Sequence, residues 1–170
     1  MANANARMGE MVISTNPTDE LVALGLGSCI ALAMIDPEAG VGGLAHVVLP
    51  ESANGAGPPA KFADTAVPEL LAQMRAAGAD AARVQTAIAG GASMFDTTQQ
   101  LDIGARNREA VHDALRTAQL TCHAEQTGGG QGRTVRVSVG AGVVTSHTAG
   151  QEPVALLPVN GRTGALGRAA

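Results

Sequence analysis

The stretch LVALGLGSCIALAMIDPEAGVGGLAHVVLP, residues 21–50, decides the reading of the fold. Its apolar run is broken by Gly25 and Gly27, which marks a strand, a tight turn, and a second strand through Ile35. Asp36-Pro37-Glu38-Ala39-Gly40 is a hairpin turn signal. Residues 41–49 return as the antiparallel partner and stop at Pro50. The turn at 36–40 folds its two flanking strands side by side as an antiparallel hairpin.

Working outward, residues 8–14 read as a further strand and 16–20 as a turn, while 51–60 form a loop. A helix is expected over 64–77, capped by Asp64, with Pro68 near its first turn and Gly78 at its end. Val67, Leu70, Leu71 and Met74 then share one face. A buried strand follows at 83–91 and a second helix at about 105–119, with Val111 and Leu115 inward. Short strands at 121–126, 134–139 and 141–145 surround TGGGQGR, whose GGGQGR (128–133) reads as a tight hairpin in preference to an anion-binding nest. Residues 1–7 are polar and expected to be mobile; 147–170 lack periodicity and are expected to be a disordered tail. Strands come first, then helix, strand, helix and strands, without regular βαβ alternation. The expectation is one α+β domain over 8–146, with mixed or antiparallel sheet layers flanked by two main helices.

Composition narrows the function classes. Of 170 residues, 45% are apolar, yet Trp and Tyr are absent and Phe62 and Phe95 are the only aromatics, so the core must be aliphatic. A net charge of −4 with scattered arginines offers neither a basic stripe nor a stacking platform, which excludes nucleic-acid binding. No run approaches the roughly 18 apolar residues of a membrane span, and the N-terminus lacks a secretory h-region; the chain is expected in the cytoplasm. There the two cysteines, Cys29 and Cys122, stay reduced. No CxxC pair and no Cys/His cluster at zinc spacing is visible, so no metal is expected. His112, His123 and His147 read as solvated, and Cys122 as a buried strand residue.

Cys29 follows a Gly-x-Gly-Ser turn. Thiol catalysis needs an accessible sulfur, a base within hydrogen-bond reach and donors for an oxyanion. A glycine-rich turn around Gly27 and Ser28 leaves room for substrate and frees backbone N–H groups. His46 stands on the returning arm of the hairpin: Cys29 is seven residues before Asp36, and His46 six after Gly40. Pairing about the turn brings the two almost opposite each other, although a one-residue slip would turn one of them away. A lone cysteine in an apolar run is more often inert, and a lone histidine on a strand more often structural, so the residues alone leave both readings open. A dinucleotide fingerprint is a poor fit, because Ile30 stands where the third glycine belongs.

The segment LGLGSCIALAMIDPEAGVGGLAHVVLP resembles the signature of the CheD family, the chemoreceptor glutamine deamidases. KFADTAVPELL (61–71), AGGASMF (89–95), IGARNREAV (103–111) and GGGQGR (128–133) match it in order and spacing, so the resemblance covers roughly 8–145. It implies an α+β fold related to toxin-type cysteine deamidases, and hydrolysis of receptor glutamines to glutamate and ammonia without a cofactor. It further implies methyl-accepting chemotaxis receptors as substrates, the CheC phosphatase as a binding partner, Cys29 as nucleophile and His46 as base. The family pattern places a Thr six residues before the nucleophile as the third triad member; here that position is Ala23, whose side chain accepts no hydrogen bond. Thr18 or a backbone carbonyl are the candidates to orient the imidazole instead. Backbone N–H groups at Ser28–Cys29 are the oxyanion-hole candidates.

Two alternatives stand beside this reading. One is a non-catalytic module that binds receptor or CheC, suggested by Ala23; the other is a different cysteine hydrolase, a transglutaminase-like enzyme or a small-metabolite amidase. Smaller expectations are that Phe95 lines a cleft or packs in the core, and that Arg106 and Asn107 either contact receptor or, for Asn107, cap a helix.

Overall fold

The computed structural model describes residues 2–93, 102–159 and 168–169. In chain order the strands before the first helix are β1 (Asn3–Asn5), β2 (Met11–Ser14), β3 (Glu20–Leu26), β4 (Ile30–Asp36) and β5 (Val41–Val47). A 3₁₀ turn (Pro59–Lys61) leads into α1 (Ala63–Ala76), then β6 (Gln85–Gly90) and α2 (Ile103–Thr117). The rest are β7 (Ala124–Thr127), β8 (Arg133–Ser138), β9 (Val143–Thr148), β10 (Val154–Leu157) and β11 (Arg168–Ala169). They form two sheets, ordered β1-β3-β8-β9-β10 and β11-β7-β6-β4-β5-β2. The pairs β1–β3, β6–β7 and β7–β11 are parallel and the remainder antiparallel, which makes the α+β, mixed-sheet expectation correct.

The alternation of β4 explains the layering. Ile30, Leu32 and Met34 pack with Val67, Leu70 and Met74 of α1 and with Val111 and Leu115 of α2. Ala31, Ala33 and Ile35 face the other way, toward Leu21, Val135, Val137 and Val144 of the five-stranded sheet. β4 is thus covered on both faces, which is why it reads as a continuous apolar run rather than an alternating one. Small side chains line the space between the sheets, among them Ala23, Ala31, Ala33, Ala87 and Ala89. With no Trp or Tyr to fill it, a thin inter-sheet layer is the packing solution left to this sequence.

The hairpin 30–47 forms, paired from Asp36↔Val41 to Ile30↔Val47, which sets His46 opposite Ala31 and not Cys29. Its turn is fixed by the fully buried Asp36 carboxylate, which accepts from the Ala39 and Asp80 N–H groups and from Arg83. Burial alone would raise the Asp36 pKa, but these bonds hold it below the usual carboxylate range.

Several expectations need correction. As far as it is described, the segment expected to be mobile over 1–7 is not a loose lead-in: Asn3–Asn5 pair with Glu20–Val22, and Ala6 is buried. The segment after 147 is structured as far as it is described, for β10 pairs with β9 and buries Leu156 and Leu157. GGGQGR is not a tight hairpin, because β7 and β8 belong to different sheets and these residues carry the chain across. Asp64 does not cap α1, which starts without a side-chain cap; its carboxylate accepts the Ser52 N–H instead. Pro68 lies within the helix. Asp102 caps α2 by accepting from the Ala105 N–H. Phe95 lies outside the described residues.

Candidate active site

Cys29 stands one residue ahead of β4, and His46 pairs with Ala31. Cys29 is two residues before Ala31, so the offset from His46 is an even number of residues, and both side chains leave the same face of the sheet. That face is the inter-sheet one: Cys29 and Ala31 belong to the same core cluster as Leu44, two residues before His46. Diagonal neighbours of this kind lie roughly 7 Å apart at Cβ, and no hydrogen bond joins the Cys29 thiol to His46 Nε2. Both residues are buried, Cys29 at 7% and His46 at 2% relative exposure.

The imidazole is held at one nitrogen and open at the other. Its Nδ1 lies 3.0 Å from the Ala6 carbonyl oxygen, an acceptor, so Nδ1 carries the proton. Nε2 is buried with no partner among the described residues. The backbone around it is pinned as well, since the His46 N–H donates to Glu10 O at 2.9 Å and the Gly9 N–H to His46 O at 2.9 Å. Ala6 is anchored in turn by its own N–H to Val22 O at 2.8 Å. The orienting acceptor that Ala23 lacks is therefore supplied by the backbone of the N-terminal arm; Ala23 itself is a buried β3 residue paired with Val135. Thr18 is bound up in its own turn with Asn16.

The turn that carries Cys29 is tied back at three consecutive carbonyls. Gly27 O accepts from the Ala92 N–H at 2.9 Å, and Cys29 O from the Gly91 N–H at 2.8 Å. Ser28 O accepts from Asn107 Nδ2 at 2.9 Å. Among the described residues no acceptor takes the N–H of Ser28 or Cys29. Gly90 makes this arrangement possible: at φ +115°, it has no Cβ to collide with the Cys29 carbonyl oxygen.

Burial raises the Cys29 thiol pKa. Burial also lowers that of His46, against smaller upward pulls from the Ala6 hydrogen bond and the Glu10 charge. Both shifts favour a resting thiol and a neutral imidazole over a thiolate–imidazolium pair.

Other expected residues fall elsewhere. Arg106 lines a groove of about 470 Å³ between α1 and α2 with Glu51, Asp64 and Glu109, away from Cys29 and His46. Asn107 neither caps a helix nor reaches solvent; it is fully buried inside α2. Arg133 closes GGGQGR as a buried guanidinium, donating to Gly90 O, Gly128 O and Thr148 Oγ1. His147 is exposed as expected, but His112 and His123 are not simply solvated. His123 Nδ1 accepts the Thr86 N–H, and His112 Nε2 lies 2.6 Å from Glu125 Oε2. Cys122 is half-buried ahead of β7 rather than within a strand. Donor atoms of His112, Cys122 and Glu125 come within 4.8 Å of one another, a convergence that their spacing does not suggest. The Glu125 carboxylate is already engaged by Arg108, Thr127 and His112, so the cluster is described by an ion-pair network.

Sequence reasoning missed the Ala6 carbonyl and the Asn107 carboxamide. The first is a backbone atom and leaves no residue-type signal. The second acts across 79 residues of sequence, and an asparagine among charged helix residues looks like any polar surface position.

Comparison with known proteins gives the family. The family described as CheD chemotactic sensory transduction matches residues 48–148. That stretch begins just beyond His46 and leaves Cys29 and His46 outside it. A protein of Symbiobacterium thermophilum named probable chemoreceptor glutamine deamidase CheD is 43% identical over 150 residues, covering 85% of this chain and 91% of the relative. The chemoreceptor glutamine deamidase CheD of Thermotoga maritima is 44% identical over 135 residues, covering 79% of this chain and 85% of the relative. By its aligned sequence, the chain belongs to the CheD family.

Proposed function

We propose that this chain is a chemoreceptor glutamine deamidase, which hydrolyses glutamine side chains of methyl-accepting receptors to glutamate and ammonia through a thioester on Cys29. The observation that carries the proposal is the state of His46: Nδ1 bound to Ala6 O, Nε2 buried and unpartnered, on the sheet face it shares with Cys29. A histidine so held is a base with its lone pair pointed at one task.

In the first half-reaction His46 Nε2 takes the thiol proton as Cys29 Sγ attacks the substrate carboxamide carbon. Proton transfer accompanies attack, because burial disfavours a standing ion pair. The oxygen that gains negative charge is received by the N–H groups of Ser28 and Cys29. His46 then gives its proton to the leaving nitrogen, the C–N bond breaks, and ammonia departs from the thioester. In the second half-reaction water gives a proton to Nε2 and attacks the same carbon; the C–S bond breaks and the sulfur recovers the proton. The chemistry uses only these groups and asks for no cofactor.

The Ala6 carbonyl removes the reason to favour a non-catalytic module, since the imidazole is oriented without a side chain at position 23. No helix among the described residues is long and apolar enough to cross a membrane; with receptor glutamines as substrates, we place the chain in the cytoplasm. The CheC phosphatase is its proposed partner on the family resemblance. Ammonia release from a receptor fragment and from free glutamine tests the reading: release from the receptor alone is expected. Equal turnover of free glutamine would mean a small-metabolite amidase, and no release from either by folded protein would mean a binding module.

A further inference from the structure

The Asn107 carboxamide lies at 0% exposure in the middle of α2, a position where a polar side chain needs a reason. Its Nδ2 donates to two backbone carbonyls, Ser28 O and Val48 O, both at 2.9 Å. Two acceptors at one end of the amide dictate that the NH₂ group faces them, because the reverse orientation would set oxygen against oxygen. One side chain thus joins the residue before the nucleophile to the residue two past the base.

The consequence follows from peptide geometry. In a trans peptide the C=O of one residue and the N–H of the next point in opposite directions. Holding Ser28 O inward, against α2, therefore turns the Cys29 N–H outward, and holding Gly27 O against the Ala92 N–H does the same for the Ser28 N–H. These are the two N–H groups with no acceptor among the described residues. Helix α2 is seated to enforce this: a Cβ on Gly104 would lie 2.5 Å from Gly91 O and 2.6 Å from Ala92 O, so the helix start rests directly on the loop that holds Gly27 and Cys29.

We infer that Asn107 is a positioning residue for the oxyanion hole: by holding the Ser28 carbonyl it aims the Cys29 N–H at the oxygen of the tetrahedral intermediate. The inference rests on the deamidase reading above. It assigns α2 a part in catalysis although no atom of that helix reacts.

The test compares wild type with Asn107→Ala and with Asn107→Ser, which keeps one hydroxyl donor. Losing alignment of one oxyanion donor is expected to lower kcat by about 10- to 100-fold, with KM within about twofold; Asn107→Ser should recover part of the loss. A purely structural role would not split two reactions of the same thiol. Alkylation of Cys29 by iodoacetamide forms no oxyanion, so in folded variants it should stay within about twofold of wild type while deamidation falls. Folded variants with wild-type kcat, or with alkylation and deamidation falling in parallel, would overturn the inference. If neither variant folds, wild-type protein still decides: a peptide aldehyde replacing the glutamine carboxamide adds the thiol across its carbonyl, and the Cys29 amide resonance should shift on adduct formation. An unmoved Cys29 amide would overturn it. A wild type that leaves receptor glutamines intact would sink the deamidase reading instead, so the two failures are distinguishable.

Discussion

Deleting residues 2–6 removes β1 and the Ala6 carbonyl while leaving Gly9 and Glu10, which hold the His46 backbone. The Nδ1–H···O=C bond is 3.0 Å long and buried. As His46 takes the thiol proton this bond becomes charge-assisted, and such bonds contribute about 1.5–3 kcal/mol. At about 1.4 kcal/mol per decade, its loss lowers kcat by roughly 10- to 150-fold. KM should hold within about twofold, because the arm acts on the base and not on the substrate. The fold should survive, since β1 is a three-residue edge strand. Losing its few net hydrogen bonds costs about 2 kcal/mol, or about 4–8 °C in Tm for a chain of this size. Steady-state ammonia release from a receptor fragment, with circular dichroism as the folding control, measures both. A truncated chain that is folded and deamidates within about twofold of the full one would refute the assignment of Ala6 as the group that orients His46.

The remaining predictions concern the same framework. Deamidation requires neutral His46, whose pKa burial has lowered, so the acid limb of kcat/KM should fall below the ordinary histidine value of about 6.5; a limb at or above it would contradict the buried environment. The same shift has a stability sign: unfolded chain binds the His46 proton more tightly, so this contribution is full above about pH 6.5 and declines as pH drops toward the folded pKa, as denaturant melts across that window would show. Gly90→Ala places a Cβ against the Cys29 carbonyl at φ +115°, and should cost more than about 1 kcal/mol of stability and at least tenfold in activity; wild-type kinetics would contradict the account of the nucleophile turn. Asp36→Ala strips the acceptor from the Ala39 and Asp80 N–H groups, a loss of about 2 kcal/mol from those two bonds, visible as a lowered urea midpoint.

How much of this was legible in the sequence varies from segment to segment. The hairpin was, because its turn residues, strand lengths and glycines all agree, and hairpin register fixes which residues can meet. The exact opposition of Cys29 and His46 was off by two residues, an even number, which preserved the shared face. β1 was not legible: Asn-Ala-Asn on an edge strand alternates weakly, and its pairing with β3 is parallel. β10 hides in a short VALL run before Pro158, and nothing local says that β9 lies beside it. The path of GGGQGR between sheets depends on where β7 and β8 pair, which is a tertiary choice. At the active site the side chains that react announce themselves by type. The atoms that aim them, Ala6 O and the Asn107 amide, act through space over 40 and 79 residues of sequence and carry no such signature.

The central claim is that Cys29 converts receptor glutamine to glutamate with His46 as its base. Mass spectrometry of a chemoreceptor co-expressed with wild-type, Cys29→Ala or His46→Ala protein tests it most directly. The account predicts the mass gain of amide-to-acid conversion at discrete receptor glutamines with wild type, and unmodified glutamines with either variant. Conversion by folded Cys29→Ala protein at the wild-type level would contradict it.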